Sequence, residues 1–423
     1  MTPRPPTPDV LCGMATYATS GPRVSGSIRA SREDFLVEEI LDTSLIEPER
    51  KDGYVPVYTL SKSGIDTPHA AEELAASLRS KVNFAGLKDS NAVTKQYASA
   101  RSSRADDPPH VHGSRFEAER VGYLPRPISR GMMAGNRFRI AVTSADAEAV
   151  SRAVAEAYRA CAGGMVPNFF GYQRFGLRSM VNHRVGKAIL RRDFRGAVRV
   201  LLGEPRIGES PGTREARGHA AEGRYREALA LFSFGQDIER SVCARLAQRP
   251  DDFLGALRRV PMVARRLFVQ AYQSYLFNRT ASEAAAAGFD LFRAQQGDNW
   301  TTLTPDGLRS TRTHGVREPV ADGAVPLIQI VGYAFRDYRS RFDAITTAVL
   351  REEEVDPREF YVKEAEELSN EGGFRHAPLL AAGLASESAP GSVTLSFSLG
   401  RGEYATTLLR EVLKPEDPLA SGF

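Results

Sequence analysis

A single carboxylate, Asp89, lies in a short polar loop between two segments of strand-like composition. Residues 82–85 form the first segment, and residues 92–100, rich in Val, Thr and Tyr, form the second. A loop between two strands is a place where a rigid scaffold holds a reactive group. An aspartate there is ionised at neutral pH and can act as a nucleophile. The same position is typical of a turn aspartate that accepts hydrogen bonds from backbone N–H groups. From the loop alone both interpretations stay open.

Other patterns in the chain argue against metal, nucleotide and hydrolase chemistry. His110 and His112 have the spacing that places two side chains on one face of a strand, but no further Cys or His lies nearby in the sequence. No Gly-rich loop is followed by Lys and Ser or Thr, so nucleotide hydrolysis is not expected. Residues 208–212 spell Gly-x-Ser-x-Gly, but no apolar strand precedes them and their Gly and Pro content predicts a loop.

Five motifs follow one another along the chain. They are Glu-Asp-Phe-Leu-Val-Glu-Glu at 33–39, Gly-Leu-Lys-Asp with Ala-Val-Thr and Gln between 86 and 96, Gly-Asn-Arg-Phe at 135–138, Pro-Asn-Phe-Phe-Gly-Tyr-Gln-Arg-Phe-Gly at 167–176, and Gly-Glu-Tyr-Ala-Thr at 402–406 running into Leu-Arg-Glu at 409–411. Together they resemble the signatures of the TruD family of tRNA pseudouridine synthases. The length, the long insertion and the Phe-Phe-Gly-Tyr-Gln form look closest to archaeal members.

The resemblance implies an isomerase that converts uridine to pseudouridine in tRNA, with uridine 13 of the D-arm as the target. Asp89 falls on the position of the family's catalytic aspartate. The reaction breaks the N1–C1′ glycosidic bond, turns the uracil while it stays bound and rejoins it through C5, with no redox change, metal or other cofactor. The carboxylate can attack C1′, attack C6 or remove the C2′ proton, and the sequence does not choose among these routes.

The target base has to leave its helical stack, and aromatic surfaces in a pocket can offset part of that cost. By the resemblance, Tyr404 stacks on the uracil and Phe170 lines the active site. Asn168 is expected to form a hydrogen bond near the carboxylate or the base. Phe35 fits a site residue and a core residue equally well, and each aromatic taken alone is typical of a core.

Two basic residues complete the predicted site. Lys88 precedes Asp89 in a chain with 48 arginines and 8 lysines, which favours a role for a compact ammonium group there. Arg29 stands six residues before Phe35, where the family commonly has lysine. It can pair with a carboxylate or a phosphate, but with different geometry and proton chemistry. Tyr404 stands where some members carry Phe, and this change keeps stacking and adds a hydroxyl.

Composition independently limits the class of protein. The 423 residues exceed one typical domain, and 42% hydrophobic and 26% charged residues are typical of a soluble globular protein. Three widely spaced cysteines, Cys12, Cys161 and Cys243, indicate a reducing compartment and no disulfide framework. The N-terminus lacks the apolar core of a secretory signal, and the longest apolar run, 324–335, is too short to span a bilayer. We therefore expect a cytoplasmic protein with no membrane partner.

Charge is unevenly distributed, although the net charge is only +4. The segment 174–199, called the basic stripe below, carries one acid and eight basic residues, which are Arg174, Arg178, Arg184, Lys187, Arg191, Arg192, Arg195 and Arg199. It would suit a phosphate backbone, and it is equally typical of a solvated helix face. Acidic runs at 352–354 and 364–367 lie later in the chain.

The elements that must position these residues change in type along the chain. Residues 23–145 are predicted to form short strands with one helix at 68–78. Further helices are predicted at 145–162, 181–202, 224–231, 252–259 and 263–286. Strands are predicted again at 303–333 and 393–399. The helix at 263–286 is expected to pack rather than to react. Because the motifs lie at both ends of the chain, an inserted domain is indicated.

The predicted fold class is α+β. A pseudouridine-synthase catalytic domain, formed by residues 1–194 and 373–423, is built on a mixed, largely antiparallel sheet. A helix-rich α/β domain at 195–372 interrupts it, as the family resemblance also implies.

Two alternatives from other functional classes remain. A tRNA-binding chaperone would keep the fold without the reaction, and the intact Asp89 and Asn168 argue against it. A metal-dependent hydrolase would use scattered carboxylates and would lose its activity in EDTA. The sequence thus predicts a metal-free pseudouridine synthase that is monomeric and has tRNA as its partner.

Overall fold

The computed structural model describes residues 3–101, 107–160, 164–177, 179–304 and 312–423. Cys161 and Arg178 lie outside these ranges, as do the end of the predicted helix 145–162 and part of the predicted strand segment 303–333.

The described strands and helices are numbered in chain order. The strands are β1 (Ser27–Ile28), β2 (Phe35–Leu41), β3 (Val55–Ser63), β4 (Val82–Phe84), β5 (Val93–Ala100), β6 (His110–His112), β7 (Phe116–Leu124), β8 (Met133–Thr143), β9 (Met165–Pro167), β10 (Trp300–Thr302), β11 (Ala324–Ile330), β12 (Gly373–His376), β13 (Pro378–Leu380), β14 (Ala382–Ala389) and β15 (Ser392–Gly400). The α-helices are α1 (Thr7–Leu11), α2 (Thr67–Leu78), α3 (Ala147–Ala160), α4 (Asn182–Leu190), α5 (Phe194–Gly203), α6 (Pro211–Ala221), α7 (Tyr225–Leu231), α8 (Asp237–Gln248), α9 (Phe253–Leu257), α10 (Met262–Ala286), α11 (Arg341–Glu352) and α12 (Ala405–Leu413).

One large sheet brings the two ends of the chain together. Its strands follow the order β14–β15–β8–β2–β5–β3–β7–β6, with β1 paired to β8 and β4 paired to β5. β2 and β5 are parallel, whereas the other described pairs in this sheet are antiparallel. Because β15 lies beside β8, the C-terminal strands complete a sheet begun by the N-terminal ones. The predicted α+β class with a mixed, largely antiparallel sheet is confirmed.

The inward face of β15 shows why this sheet has a covered side. Val393, Leu395, Phe397 and Leu399 alternate along the strand and are all buried. Successive side chains on a strand point to opposite faces, so this alternation places four apolar side chains in one core. Helices α3 and α12 lie against each other and cover this part of the sheet.

Helix α3 buries one stripe of apolar side chains. Val150 and Val154 are buried, but Tyr158, four residues after Val154, is 48% exposed. Ala157 takes the inward position instead. With 3.6 residues per turn, residue 157 lies closer than residue 158 to the face defined by residue 150.

The helix predicted at 181–202 is two helices, α4 and α5, and the single-helix prediction was wrong. The chain reverses between them because Arg192 adopts a left-handed backbone conformation with φ of 59°. Asp193 then caps α5, and its Oδ1 accepts a hydrogen bond from the Gly196 backbone N–H at 2.7 Å. The two helices pack into a second core with α6 to α10.

Helix α10 connects the two cores. Phe268, Tyr272 and Leu276 belong to the helical core, and Phe277 and Ala281 belong to the core of the large sheet. The predicted packing role of this helix is therefore confirmed. In the described part of the chain no helix is both long and apolar enough to cross a membrane.

The helical core begins earlier in the chain than the predicted insertion. Val185, Ile189 and Leu190 already pack in that core, while β12 pairs with β11 at the other end. We therefore propose that the inserted domain runs from about residue 181 to about residue 376, rather than from 195 to 372.

Candidate active site

Asp89 lies in the loop between β4 and β5, as predicted. β4 pairs antiparallel with the far end of β5, and β5 occupies the middle of the sheet between β2 and β3. The loop is therefore anchored at both ends on a central strand. The Asp89 side chain is 59% exposed, which leaves the carboxylate open to a ligand.

The glutamine of the second motif holds this loop in place. Gln96 is fully buried, and its Oε1 accepts a hydrogen bond of 2.9 Å from Thr67 Oγ1 at the start of α2. The same Thr67 oxygen accepts a hydrogen bond from the Lys88 backbone N–H at 2.9 Å. Lys88 is the neighbour of Asp89, so these contacts fix the backbone that carries the carboxylate.

Arg29 lies between the carboxylate and an aromatic ring. Its Nη2 is 3.6 Å from Asp89 Oδ2, its Nη1 donates to the Gly422 carbonyl at 2.9 Å, and its guanidinium carbon lies 4.0 Å from the centre of the Phe35 ring. Burial lowers the pKa of Arg29, and the nearby Asp89 opposes this effect. Phe35 is 4% exposed and also contacts Phe138 edge-on, so the guanidinium covers its remaining face.

The Asp89 side chain lines a cavity of about 210 Å³ to which all five motifs contribute. The lining residues are Arg29, Phe35, Val37, Leu87, Lys88, Asp89, Ala92, Thr94, Asn136, Phe138, Gln173, Glu403, Tyr404, Ala405 and Thr406. Segments as far apart as residues 29 and 406 thus meet in one place. The predicted site residues Arg29, Phe35, Lys88, Asp89 and Tyr404 are among them.

Asn168 and Phe170 lie behind the cavity wall and do not line it. The Phe170 ring contacts the Tyr404 ring edge-on, with ring centres 6.2 Å apart. The Arg375 guanidinium lies 4.1 Å from the centre of the Phe170 ring. Asn168 Oδ1 accepts a hydrogen bond from Arg375 at 2.5 Å, and Arg375 also donates to the Gly402 carbonyl at 3.0 Å. Burial lowers the pKa of Arg375 to about 10. Asn168 and Phe170 therefore reach the cavity through Arg375 and Tyr404, and no signal in the sequence pointed to Arg375.

Lys88 forms a buried ion pair beneath the loop. Its Nζ is 3.7 Å from Glu39 Oε1, and the two side chains are 7% and 0% exposed. Burial lowers the pKa of Lys88 and raises that of Glu39. The charge of each residue shifts the pKa of its partner back toward the ordinary value. Glu39 Oε2 also accepts a hydrogen bond from the Tyr97 backbone N–H at 2.9 Å, which connects the pair to β5.

Four polar side chains of the cavity have oxygen atoms that are buried without a hydrogen-bond partner among the described residues: Thr94, Asn136, Gln173 and Thr406. Buried polar groups are nearly always hydrogen-bonded, so a set of four at one cavity indicates a polar ligand. A Cβ atom at Gly171 would lie 3.0 Å from the Thr406 oxygen and 3.2 Å from that of Gln173, so glycine preserves this wall. These residues stand within or beside the motifs, but the sequence assigned them no role.

Four of the eight residues of the basic stripe form ion pairs with acids within the described part of the chain. Arg184 contacts Glu204 at 2.7 Å, Lys187 contacts Glu353 at 2.6 Å, Arg191 contacts Glu354 at 3.5 Å, and Arg192 contacts Glu364 at 3.5 Å. The two acidic runs noted in the sequence thus supply three of these four partners. For these four residues, neither an open phosphate-binding surface nor a purely solvated face describes the arrangement.

The chain is similar to known proteins over nearly its whole length. The family model for tRNA pseudouridine synthase D (TruD) matches residues 11–412. Curated relatives named "Probable tRNA pseudouridine synthase D" include one from Methanopyrus kandleri, 36% identical over 85% of this chain and 86% of its own, and one from Pyrobaculum neutrophilum, 35% identical over 98% of each. A solved structure named "Putative tRNA pseudouridine synthase D (TruD)", from Methanosarcina mazei, has a TM-score of 0.77 and 30% identity, and the match covers 98% of this chain and 99% of that one.

Proposed function

The chain belongs to the TruD family of tRNA pseudouridine synthases, and we propose that it isomerises uridine 13 in the D-arm of tRNA with Asp89 as the reacting carboxylate. The observation that carries this proposal is the convergence of all five motifs on one cavity that the Asp89 side chain lines. A metal or redox cofactor has no part in the proposed reaction.

The cavity offers separate surfaces for the base and for the carboxylate. A flipped uracil would stack on Tyr404, and the unpartnered oxygens of Asn136 and Gln173 are acceptors suited to its N3–H. Asp89 would then face the sugar, where it can attack C1′ or C6 or remove the C2′ proton. Arg29, 3.6 Å from Asp89, gives the carboxylate a counter-charge and a fixed direction.

The direct test is the Asp89→Asn variant. It removes the negative charge and keeps the size of the side chain, so pseudouridine should be absent from tRNA incubated with the variant. The affinity for tRNA should stay within about twofold, because phosphate contacts supply most of the binding energy. Mass-spectrometric mapping measures the product, and Asp52→Asn, a change at an exposed aspartate, is the matched control. Product formed by Asp89→Asn at the wild-type rate would remove Asp89 from the mechanism.

Further arms of this experiment test the target and the two alternatives. A tRNA with cytidine at position 13 should yield no pseudouridine, and product at another position would refute the proposed target. Activity in EDTA should equal activity without it, and this result, with no metal found by elemental analysis, would dismiss the metal-dependent hydrolase. Refolding of tRNA by Asp89→Asn at the wild-type level, with no product made by either protein, would support the chaperone.

A further inference from the structure

Lys62 makes a set of contacts that neither the motifs nor the proposed reaction require. It is the second-last residue of β3, and it is 3% exposed. Its Nζ donates to three backbone carbonyls: Ile65 at 2.9 Å, Asp89 at 3.1 Å and Lys88 at 3.2 Å. A lysine ammonium has three N–H donors, so all of them are used.

The chemistry of these partners is unusual for a buried lysine. Within the ranges that the structure describes, no carboxylate oxygen lies within 4.0 Å of Lys62 Nζ, so no ion pair holds the charge. Two of its three carbonyl partners belong to the Asp89 loop itself, and the third belongs to the turn between β3 and α2. The ammonium therefore ties the loop to that turn.

The loop depends on such ties because its carboxylate has few contacts of its own. Asp89 is 59% exposed, and Arg29, at 3.6 Å, is its ion-pair partner among the described residues. Arg29 can orient the carboxylate, but backbone contacts of the loop decide where the Asp89 backbone lies. One such contact joins the loop to the same turn, from the Gly64 N–H to the Ser90 carbonyl at 3.1 Å. Another joins it to the first residue of α2, from the Lys88 N–H to Thr67 Oγ1. Lys62 adds the charged contacts.

We infer, on the basis of the proposed function, that Lys62 is a positioning residue whose charged ammonium holds the Asp89 loop in its reactive conformation. When Lys62 loses its proton it loses one donor and its charge, so one of the three carbonyls is released and the others are held more weakly. Turnover should then fall, while the affinity for tRNA should not.

The surroundings of Lys62 set the pH range in which this happens. Burial lowers its pKa to about 8, while Asp89 on the loop and Asp66 at the start of α2 raise it and Lys88 lowers it. Its neighbours in register on β5 and β7, Thr94 and Phe116, carry no charge.

Loss of the Lys62 proton at high pH affects activity and stability in opposite directions, and this distinguishes a positioning role from unfolding. Between pH 8 and the ordinary lysine pKa of 10.5, the unfolded chain keeps the Lys62 proton and the folded chain does not. The unfolded state then binds more protons, so loss of this proton raises the free energy of unfolding as the pH rises. Activity should fall over this range while the fold is retained, which a merely structural role would not produce.

The test compares pH profiles of pseudouridine formation. The wild-type kcat should fall about eightfold between pH 7.5 and 9, if the neutral form is inactive. Lys62→Arg keeps its charge at pH 9, so its kcat should change by less than about twofold over the same range, at a lower absolute rate. Lys62→Met should lose about 10- to 100-fold in kcat at pH 7.5, with KM for tRNA within about twofold. Lys51→Met, at an exposed lysine, is the matched control.

Each alternative outcome is distinct. The N3–H of uridine also ionises in alkali, and if that were the cause, Lys62→Arg would decline in parallel with the wild type and the inference would be overturned. If the wild type made no pseudouridine, the proposed function would fail, and hydrogen exchange of residues 86–92 would test the inference alone. The amide exchange rate of these residues, divided by the intrinsic rate at the same pH, should rise between pH 7.5 and 9 in the wild type but not in Lys62→Arg. An equal rise in both proteins would refute the role of Lys62.

Discussion

His183 should make the protein less stable in mild acid. It lies on α4 with its ring stacked on Tyr275 at 4.9 Å between ring centres and edge-on to Phe175 at 5.5 Å, and it is 7% exposed. Its Nδ1 is buried and has no hydrogen-bond partner among the described residues. Burial lowers the pKa of His183 from 6.5 to about 4, and Arg184 contributes in the same direction.

The sign and size follow from these two values. Between pH 6.5 and 4 the unfolded chain binds a proton at this histidine and the folded chain does not, so stability falls as the pH falls. One pKa unit corresponds to about 1.4 kcal/mol, which gives about 3 kcal/mol once the pH is below 4 and about 2 kcal/mol by pH 5. At pH 5 most exposed carboxylates are still ionised, so they contribute little to this difference.

Urea unfolding followed by circular dichroism at pH 7.5 and pH 5 measures this loss. His183→Phe keeps an aromatic ring and cannot take up a proton, so the free energy of unfolding should fall by about 2 kcal/mol less between the two pH values than in the wild type. His112→Gln, at an exposed histidine on β6, should behave like the wild type. If His183→Phe lost as much stability as the wild type, a neutral buried His183 would be ruled out.

Substitutions at two further positions, Asp9 and Arg29, test buried charge contacts. Arg410, whose side chain is 1% exposed, donates to Asp9 at 2.6 Å and to Glu411 at 3.0 Å, so Asp9→Asn should destabilise the protein by about 3 kcal/mol, because it removes one of two buried counter-charges. Thermal melts against the exposed control Asp52→Asn measure this, and equal melting temperatures would contradict it. Arg29→Met should lower kcat for pseudouridine formation at least about tenfold, whereas Arg29→Lys keeps a charge for Asp89 and should lose less. Equal losses in these two variants would show that the charge of Arg29 is not what matters.

The sequence predicted the elements around Asp89 closely because their patterns are local. The strands expected at 82–85 and 92–100 are observed as Val82–Phe84 and Val93–Ala100, and the helix expected at 263–286 as Met262–Ala286. β-Branched and aromatic residues flank the Asp89 loop on both sides. In the segment 263–286, apolar residues recur at the spacing of a helix. Such signals need no knowledge of distant residues.

Helices with polar surfaces were missed although their starts carry recognisable signals. α6 begins after Ser210, whose hydroxyl accepts from the Thr213 N–H, with Pro211 at the first helical position. α11 begins with a capping box formed by Ser340 and Asp343. The buried face of α6 is formed by Thr213, Ala216, Arg217 and Ala220, so its apolar pattern is weak although its cap is strong. α11 buries Phe342, Val349 and Leu350 at helical spacing, so its sequence carries both the cap and the apolar pattern.

Roles that depend on backbone atoms were beyond the sequence. Lys62 and Arg375 donate mainly to carbonyl groups, and every residue has a carbonyl. Phe170 was expected to line the active site, but it lies behind Tyr404, and Asn168 likewise does not line the cavity. Nothing in their motif distinguishes a residue that lines the cavity from one that supports Tyr404 from behind. Only the folded arrangement makes that distinction.

The basic stripe shows why a local charge count misleads about RNA binding. Lys187 and Glu353 are 166 positions apart in the chain, yet their side chains are only 30% and 14% exposed and lie 2.6 Å apart. Tyr272 and Tyr275 also donate to Glu353, at 3.2 and 3.1 Å. A phosphate could therefore recruit Lys187 only by removing one of the two cations, Lys187 and Arg279, that this largely buried carboxylate contacts. Exposed pairs such as Arg191 with Glu354 cost about 1 kcal/mol or less to open. Any phosphate contact made by the stripe should therefore come from its exposed arginines rather than from Lys187.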